Sequence, residues 1–150
     1  MLFRSFQVAE EMRTALPAVI GELPLIKLWA FKYDHQLQGI DAHADAARVN
    51  VNFWITPDEA NLDPESGGLV VYDVPSPRSW RFHDYNQSPG KIYEFLAQHK
   101  AQSRVVPHRC NRAVLFNSDL FHQTDTIRFR PGFTNRRVNI TYLFGRGLRD

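Results

Sequence analysis

Two histidines, an aspartate and an arginine carry the chemistry legible in this chain. His43 and Asp45 lie two positions apart in GIDAHADAARVNVNFWIT, His122 follows in NRAVLFNSDLFHQTD, and Arg137 comes near the end in NRRVNITYLFG. Two imidazoles and one carboxylate make a three-ligand face that suits non-haem Fe(II) and leaves coordination positions open. An arginine presents a planar fork matched to carboxylates, and so a grip for a dicarboxylate such as 2-oxoglutarate.

Each element of this set has a plainer reading. A His-x-Asp pair is common by chance in a chain with 6 His and 16 acidic residues. His43 could be a satisfied core histidine and Asp45 a strand-end cap. On a strand, however, residues two apart point to one side, so His43 and Asp45 can converge on one ion. His122 lies far along the chain beside another apolar run, where a distant third ligand would come from. Arg137 shares a strand face with Asn139 and Thr141, while Val138, Ile140 and Tyr142 share the other. A guanidinium buried without an anion costs ~3–5 kcal/mol, and a bound dicarboxylate would remove that cost. Thr141 could add a hydroxyl donor. Pairing of Arg137 with a surface acid is the alternative, and Arg136 takes its place if the register shifts by one.

The elements that must position these residues are mostly short strands. Residues from about Ser5 to Ile20 read as an amphipathic helix. Ser5 stands at its start, Phe6, Ala9, Met12 and Leu16 lie near helical spacing, and Pro17 bends or ends it. LIKLWAFKY reads as a strand, and the run from His43 to Thr56 as a longer one. In the latter, Val49, Val51, Phe53 and Ile55 alternate with Asn50, Asn52 and Trp54. PDEANLDPESGG is an acidic turn-rich loop, and LVVYDV a strand. SPRSWRFHDYNQSPG reads as a loop, after which Ser88-Pro89 opens a short helix through KIYEFLAQHK. SRVVP, RAVLFN and RRVNITYLF are the closing strands. Many short strands, few helices and no βαβ rhythm predict a mainly β sandwich or jelly roll, with one N-terminal helix and a short helix in an insertion.

The bulk properties are consistent with this. A chain of 150 residues, 43% hydrophobic and 13% aromatic, reads as one globular domain over 1–150. A net charge of +2 without a dense Lys/Arg run argues against nucleic acid as the partner. One cysteine, Cys110, rules out an internal disulfide framework, and it is expected to be a buried small hydrophobe. No signal-peptide pattern and no membrane-length apolar run are present, so a cytoplasmic location is the expectation.

The segments HADAARVNVNFWITPDEANLDPESGGLVVYD, NRAVLFNSDLFHQTD and NRRVNITYLFG, in that order, resemble the Fe(II)/2-oxoglutarate-dependent oxygenase superfamily. They are similar to bacterial members of uncertain substrate, some of which carry tetratricopeptide repeats. The resemblance spans roughly residues 25–146. It implies a double-stranded β-helix of the cupin-like type, iron held by His43, Asp45 and His122, and 2-oxoglutarate gripped by Arg137. Tyr33 resembles tyrosines that bond 2-oxoglutarate in related enzymes, although a core tyrosine is the commoner explanation. It further implies a hydroxylase that couples 2-oxoglutarate decarboxylation to C–H oxidation with molecular oxygen. The chain is short for that superfamily, with little ahead of the first strand.

RVNIT partly matches the Arg-x-Asn-x-Thr-x-Arg ending of the AlkB nucleic-acid demethylases, but position 143 is Leu where they carry a second Arg. A small molecule or a protein side chain is therefore the expected substrate. Trp80 and Tyr85, in the aromatic stretch with Phe82 and His83, and the acidic loop from Asp58 to Glu65 are candidates to touch it. Packing and solvated surface are their plainer roles. Trp29 and Trp54 are expected in the core, and His35, His99 and His108 at the surface. Two other readings stay open: a cupin-like metal enzyme that does not use 2-oxoglutarate, and a non-catalytic β-sandwich binding module.

Overall fold

The computed structural model describes residues 2–34 and 37–147. Seven strands among them form two antiparallel sheets. The first has the order β1-β7-β2-β5, built from β1 (Leu25–Tyr33), β7 (Arg137–Phe144), β2 (Val49–Trp54) and β5 (Ala113–Asn117). The second is β4-β3-β6, from β4 (Ser103–Val106), β3 (Leu69–Pro75) and β6 (Leu120–Thr124). Residues 40–43 run irregularly along the open edge of β6. There Thr124 N–H donates to the Ile40 carbonyl at 2.9 Å, and His43 and His122 exchange backbone hydrogen bonds of 2.9 and 2.8 Å. The expected mainly β jelly-roll sandwich is what forms, with an N-terminal helix α1 (Leu2–Ala15) and helices α2 (Phe82–Asn86) and α3 (Pro89–Gln98) in the insertion.

The first sheet turns its apolar side outward. Val49, Val51, Tyr142 and Phe144 pack with Ala9 and Ile20 in one core, so α1 and the turn after it roof the sheet. The other side of the same strands carries Asn50, Asn52, Arg137, Asn139 and Thr141, each at most 5% exposed. Such a polar face survives inside because each of these side chains finds a hydrogen-bond partner there.

A second core joins Ala42 and Ala44 to Tyr85, Ile92, Leu96 and Phe121. It seats α2 and α3 on the chain around His43: residues 42 and 44 face the helices, and 43 and 45 face the cavity.

Several elements differ from the sequence expectation. The helix expected over Ser5–Ile20 runs over Leu2–Ala15 and stops two residues before Pro17, whose ring restricts the residue ahead of it. Phe6, expected on its buried face, is 52% exposed. The long strand expected from His43 to Thr56 is regular only over Val49–Trp54, because the chain bends between Ala46 and Arg48 to leave one sheet for the other. The segment expected as a loop before Pro89 contains α2, closed by a reciprocal cap between Arg81 and Asp84. His122 sits on β6, a strand of its own made of LFHQT, rather than beside the preceding one. Pro89 opens α3 at its first turn, as expected.

Candidate metal centre and cavity

His43 and His122 stand opposite each other across the bridge between the 40–43 segment and β6, with ring centroids 4.3 Å apart. Directly opposed residues of an antiparallel pair project their side chains together. Asp45, two residues on, is anchored by its N–H to the Ser118 carbonyl at 3.0 Å. Its Oδ2 lies 3.5 Å from His122 Nε2. One ligand atom from each of His43, Asp45 and His122 falls within 4.8 Å of the others. These three are the cluster of His, Cys, Asp or Glu able to hold a metal ion among the described residues.

The donors are prepared for that use. His43 Nδ1 is 2.8 Å from the Asp41 carbonyl and His122 Nδ1 is 3.0 Å from the Leu120 carbonyl. A carbonyl only accepts, so each Nδ1 carries a proton, and Nε2 of the neutral ring is left with its lone pair for a metal. Burial pushes His43 down to about pKa 4, with repulsion from His122 acting the same way and Asp45 opposing. Burial by itself would raise Asp45. Its neighbours His122, His43 and Lys27 outweigh that, so the Asp45 carboxyl is held below the usual carboxylate range. Two imidazoles and one carboxylate are a donor set able to hold a divalent cation.

Behind the cluster lies a chain of amides. Arg137 Nη1 donates to Asn139 Oδ1 at 2.9 Å, Asn139 Nδ2 to Asn52 Oδ1 at 3.1 Å, Asn52 Nδ2 to Asn50 Oδ1 at 2.7 Å, and Asn50 Nδ2 to Asp45 Oδ2 at 2.7 Å. Every donor points the same way, from the guanidinium cation toward the carboxylate anion. Charges at the two ends thus set the orientation of all three amides, and each bond polarises the next. Thr141, expected to offer a hydroxyl donor, spends it on Asn52 at 3.2 Å. Asn50 and Asn52 were visible as polar residues in the apolar run VNVNFW, but alternation shows only that they share a face, not that the face is buried.

Arg137 is fully buried. Its Nε donates to the Gly67 carbonyl at 2.5 Å and its Nη2 to the Gly68 carbonyl at 3.0 Å. No carboxylate comes within 4 Å of the guanidinium among the described residues. Burial lowers its pKa to about 10, so it remains a cation at neutral pH. Arg136 instead sets its guanidinium 5.5 Å from the Phe133 ring, outside this buried site. Tyr33 lies with its ring 5.3 Å from the Arg137 guanidinium carbon. Its hydroxyl, beside Thr124, is buried without a hydrogen-bond partner of good geometry.

A cavity of about 220 Å³ opens onto these groups, lined by His43, Asp45 and His122, by Asn52, Asn139 and Thr141, and by the inward side chains of β1. Trp80 and Tyr85, the expected substrate contacts, do not line it. Trp80 stacks near Phe95 and Phe121 with centroids at 5.0 and 6.0 Å, and Tyr85 is buried in the same core. Their neighbours Phe82 and Asn86 line the cavity instead, because α2 turns one face to each side. The acidic loop Asp58–Glu65 contributes nothing to its wall. Trp54 is core as expected, whereas Trp29 is only partly buried and lines the cavity.

Of the remaining singled-out residues, His99 is exposed as expected and His35 lies outside the described residues. His108 is a correction: it is 3% exposed, edge-on to Phe129 at 5.1 Å, because the chain folds back under Gly67 to close the floor behind Arg137. Cys110 is another, exposed in a turn rather than buried. No helix among the described residues is long and apolar enough to cross a membrane.

No protein-family model matches the chain, and no curated protein matches it in sequence. Its fold does recur among solved structures. A crystal structure described as a novel N-substituted L-amino acid dioxygenase from Burkholderia ambifaria AMMD superposes with a TM-score of 0.52 at 12% identity, covering 89% of this chain and 58% of that one. At that identity the likeness is one of fold, and this chain spans less than two thirds of the length of that protein. Fold and site together define a β-sandwich protein with a His-Asp-His cluster, half-buried at His43 and buried at Asp45 and His122, able to hold a metal.

Proposed function

We propose that this protein is an Fe(II)- and 2-oxoglutarate-dependent oxygenase acting as a hydroxylase. The observation that carries the reading is a preformed His43–Asp45–His122 face on a cavity that Tyr33 and Asn139 also line, with the buried, carboxylate-free Arg137 in contact with both behind them. His43 and His122, through Nε2, and Asp45 would hold the iron. Arg137 and Tyr33 would receive the distal carboxylate of 2-oxoglutarate, since the buried guanidinium has no anionic partner and the Tyr33 hydroxyl no hydrogen-bond partner of good geometry. With both bound, the chemistry supplied is oxidative decarboxylation of 2-oxoglutarate coupled to oxidation of a substrate C–H bond by molecular oxygen.

The chain's own residues do the positioning. Asn50 holds Asp45 by one oxygen, the two backbone carbonyls hold the imidazoles, and the indole and phenyl walls of β1 keep bulk water from the reacting face. The substrate would be a small molecule or a protein side chain reaching over the metal face. The protein is proposed to work in the cytoplasm.

The test is an anaerobic titration of the purified protein with Fe(II) and 2-oxoglutarate, followed in the visible region. A charge-transfer band from the chelated co-substrate should appear. Arg137→Ala should weaken 2-oxoglutarate binding by about two orders of magnitude or more, given the ~3–5 kcal/mol attached to a buried charge partner. Iron binding with no band would favour a metal enzyme that does not use 2-oxoglutarate. Absence of iron binding would favour a binding module.

A further inference from the structure

The cavity has a second cationic feature that the metal and the co-substrate leave unused. β1 pairs with β7 in a register that sets Tyr33 opposite Arg137, Trp29 opposite Thr141 and Lys27 opposite Leu143. Tyr33, Trp29 and Lys27 alternate along one face of β1, and all three line the cavity. The wall therefore runs six residues, roughly 20 Å, from the Arg137 end to the Lys27 end. Lys27 stands at the end of this wall away from Arg137.

Two donors at this end have no acceptor. Lys27 makes no ion pair or hydrogen bond among the described residues. The Trp29 indole N–H is buried without a partner. An indole nitrogen shut away from water without an acceptor loses about 1–3 kcal/mol, a cost a ligand acceptor would remove. Around these donors the wall is apolar, formed by Phe31, Ala46, Phe82 and Leu143. Asp45 is the one carboxylate in the lining, and the metal face uses it.

We infer that the primary substrate is an organic acid with an apolar body, its carboxylate received by Lys27 and the Trp29 indole and its hydrocarbon part lying along Phe82 and Leu143. This rests on the oxygenase reading for the role of the Arg137 end. The two carboxylate seats sit at opposite ends of one wall. Co-substrate and substrate are thereby sorted by the depth of each cation: Arg137 is buried, and Lys27 stands at the exposed end.

The test uses the full chain loaded with Zn(II), which is diamagnetic and redox-inert, and saturated with 2-oxoglutarate. The Trp29 indole N–H resonance, assigned with Trp29→Phe, is followed by NMR. Probes are 3-phenylpropionate and hexanoate, each beside its primary amide. The acids should shift the resonance saturably and bind about ten- to hundredfold more tightly than the amides, as a charge-assisted contact implies. Lys27→Met should bring the acids down to the level of the amides, and Lys27→Arg should restore the preference. Equal binding of acid and amide, acid affinity unchanged in Lys27→Met, or no shift with either acid would each overturn the inference. Failure of the oxygenase reading would show differently: the Fe(II)–2-oxoglutarate band would be missing from the unmutated protein, whatever stands at position 27.

Discussion

Asp45 has one hydrogen bond that decides its value as a ligand. Asn50 occupies Oδ2 at 2.7 Å and thereby fixes the plane of the carboxylate. Outer-shell partners of this type are worth about 10- to 100-fold in metal affinity. Asn50→Ala should therefore weaken Mn(II) binding by about that factor, read from the free-ion EPR signal, with the fold retained. An unchanged affinity would show that Asp45 is oriented by its backbone alone. His122→Ala should remove metal binding and iron-dependent turnover while circular dichroism stays that of a folded β protein. Its place on β6 is held by backbone bonds to His43 and by the pairing of β6 with β3, not by its imidazole. Full activity in that variant would show the ligand assignment to be wrong.

Gly68 shows how an element, rather than a side chain, serves the site. It precedes β3, and its carbonyl takes a hydrogen bond from Arg137. A Cβ at this position would collide with the Val106 carbonyl and the His108 backbone nitrogen, both in the neighbouring chain that continues β4. Gly68→Ala must push β3 and β4 apart at this end and shift the seat of the guanidinium. It should cost about 1–3 kcal/mol, the range for forcing atoms into a filled interior. Chemical denaturation would measure the loss. A midpoint equal to that of the unmutated protein would mean that the β3–β4 end yields freely.

At the scale of the whole molecule, buried histidines tie stability to pH. Burial lowers His108 to about pKa 4, with the Arg137 charge second and Asp58 opposing. His43 is depressed similarly. The unfolded chain takes up protons near the ordinary histidine pKa of about 6.5, and the folded chain only near 4. Between those values the unfolded state binds more protons, so stability rises with pH there and is lost as pH falls through the window. The metal-free protein should thus show a melting temperature that declines from about pH 6.5 toward 4. His108→Gln, which cannot titrate, should flatten part of that slope. An identical slope in the variant would exclude His108 as a source.

The chemistry of this protein was legible where it depends on residue type and on alternation. His43, Asp45 and His122, which the structure brings together, could be named from the sequence because few other side chains can hold a metal. The two faces of β7 followed from its period of two. The mainly β class followed from the density of short apolar runs between turns. Alternation says which residues share a face, but not which face is inside. Only the tertiary structure decided that the asparagine face of β2 and β7 points inward while α1 roofs the apolar one. Only the tertiary structure could show the amide chain from Arg137 to Asp45, since it joins residues as far apart in sequence as Asn52 and Asn139, 87 positions. For the same reason Trp80 and Tyr85 went to packing and Lys27 and Trp29 to the cavity. Side-chain chemistry is a property of the residue, whereas burial and proximity belong to the way distant strands close on one another.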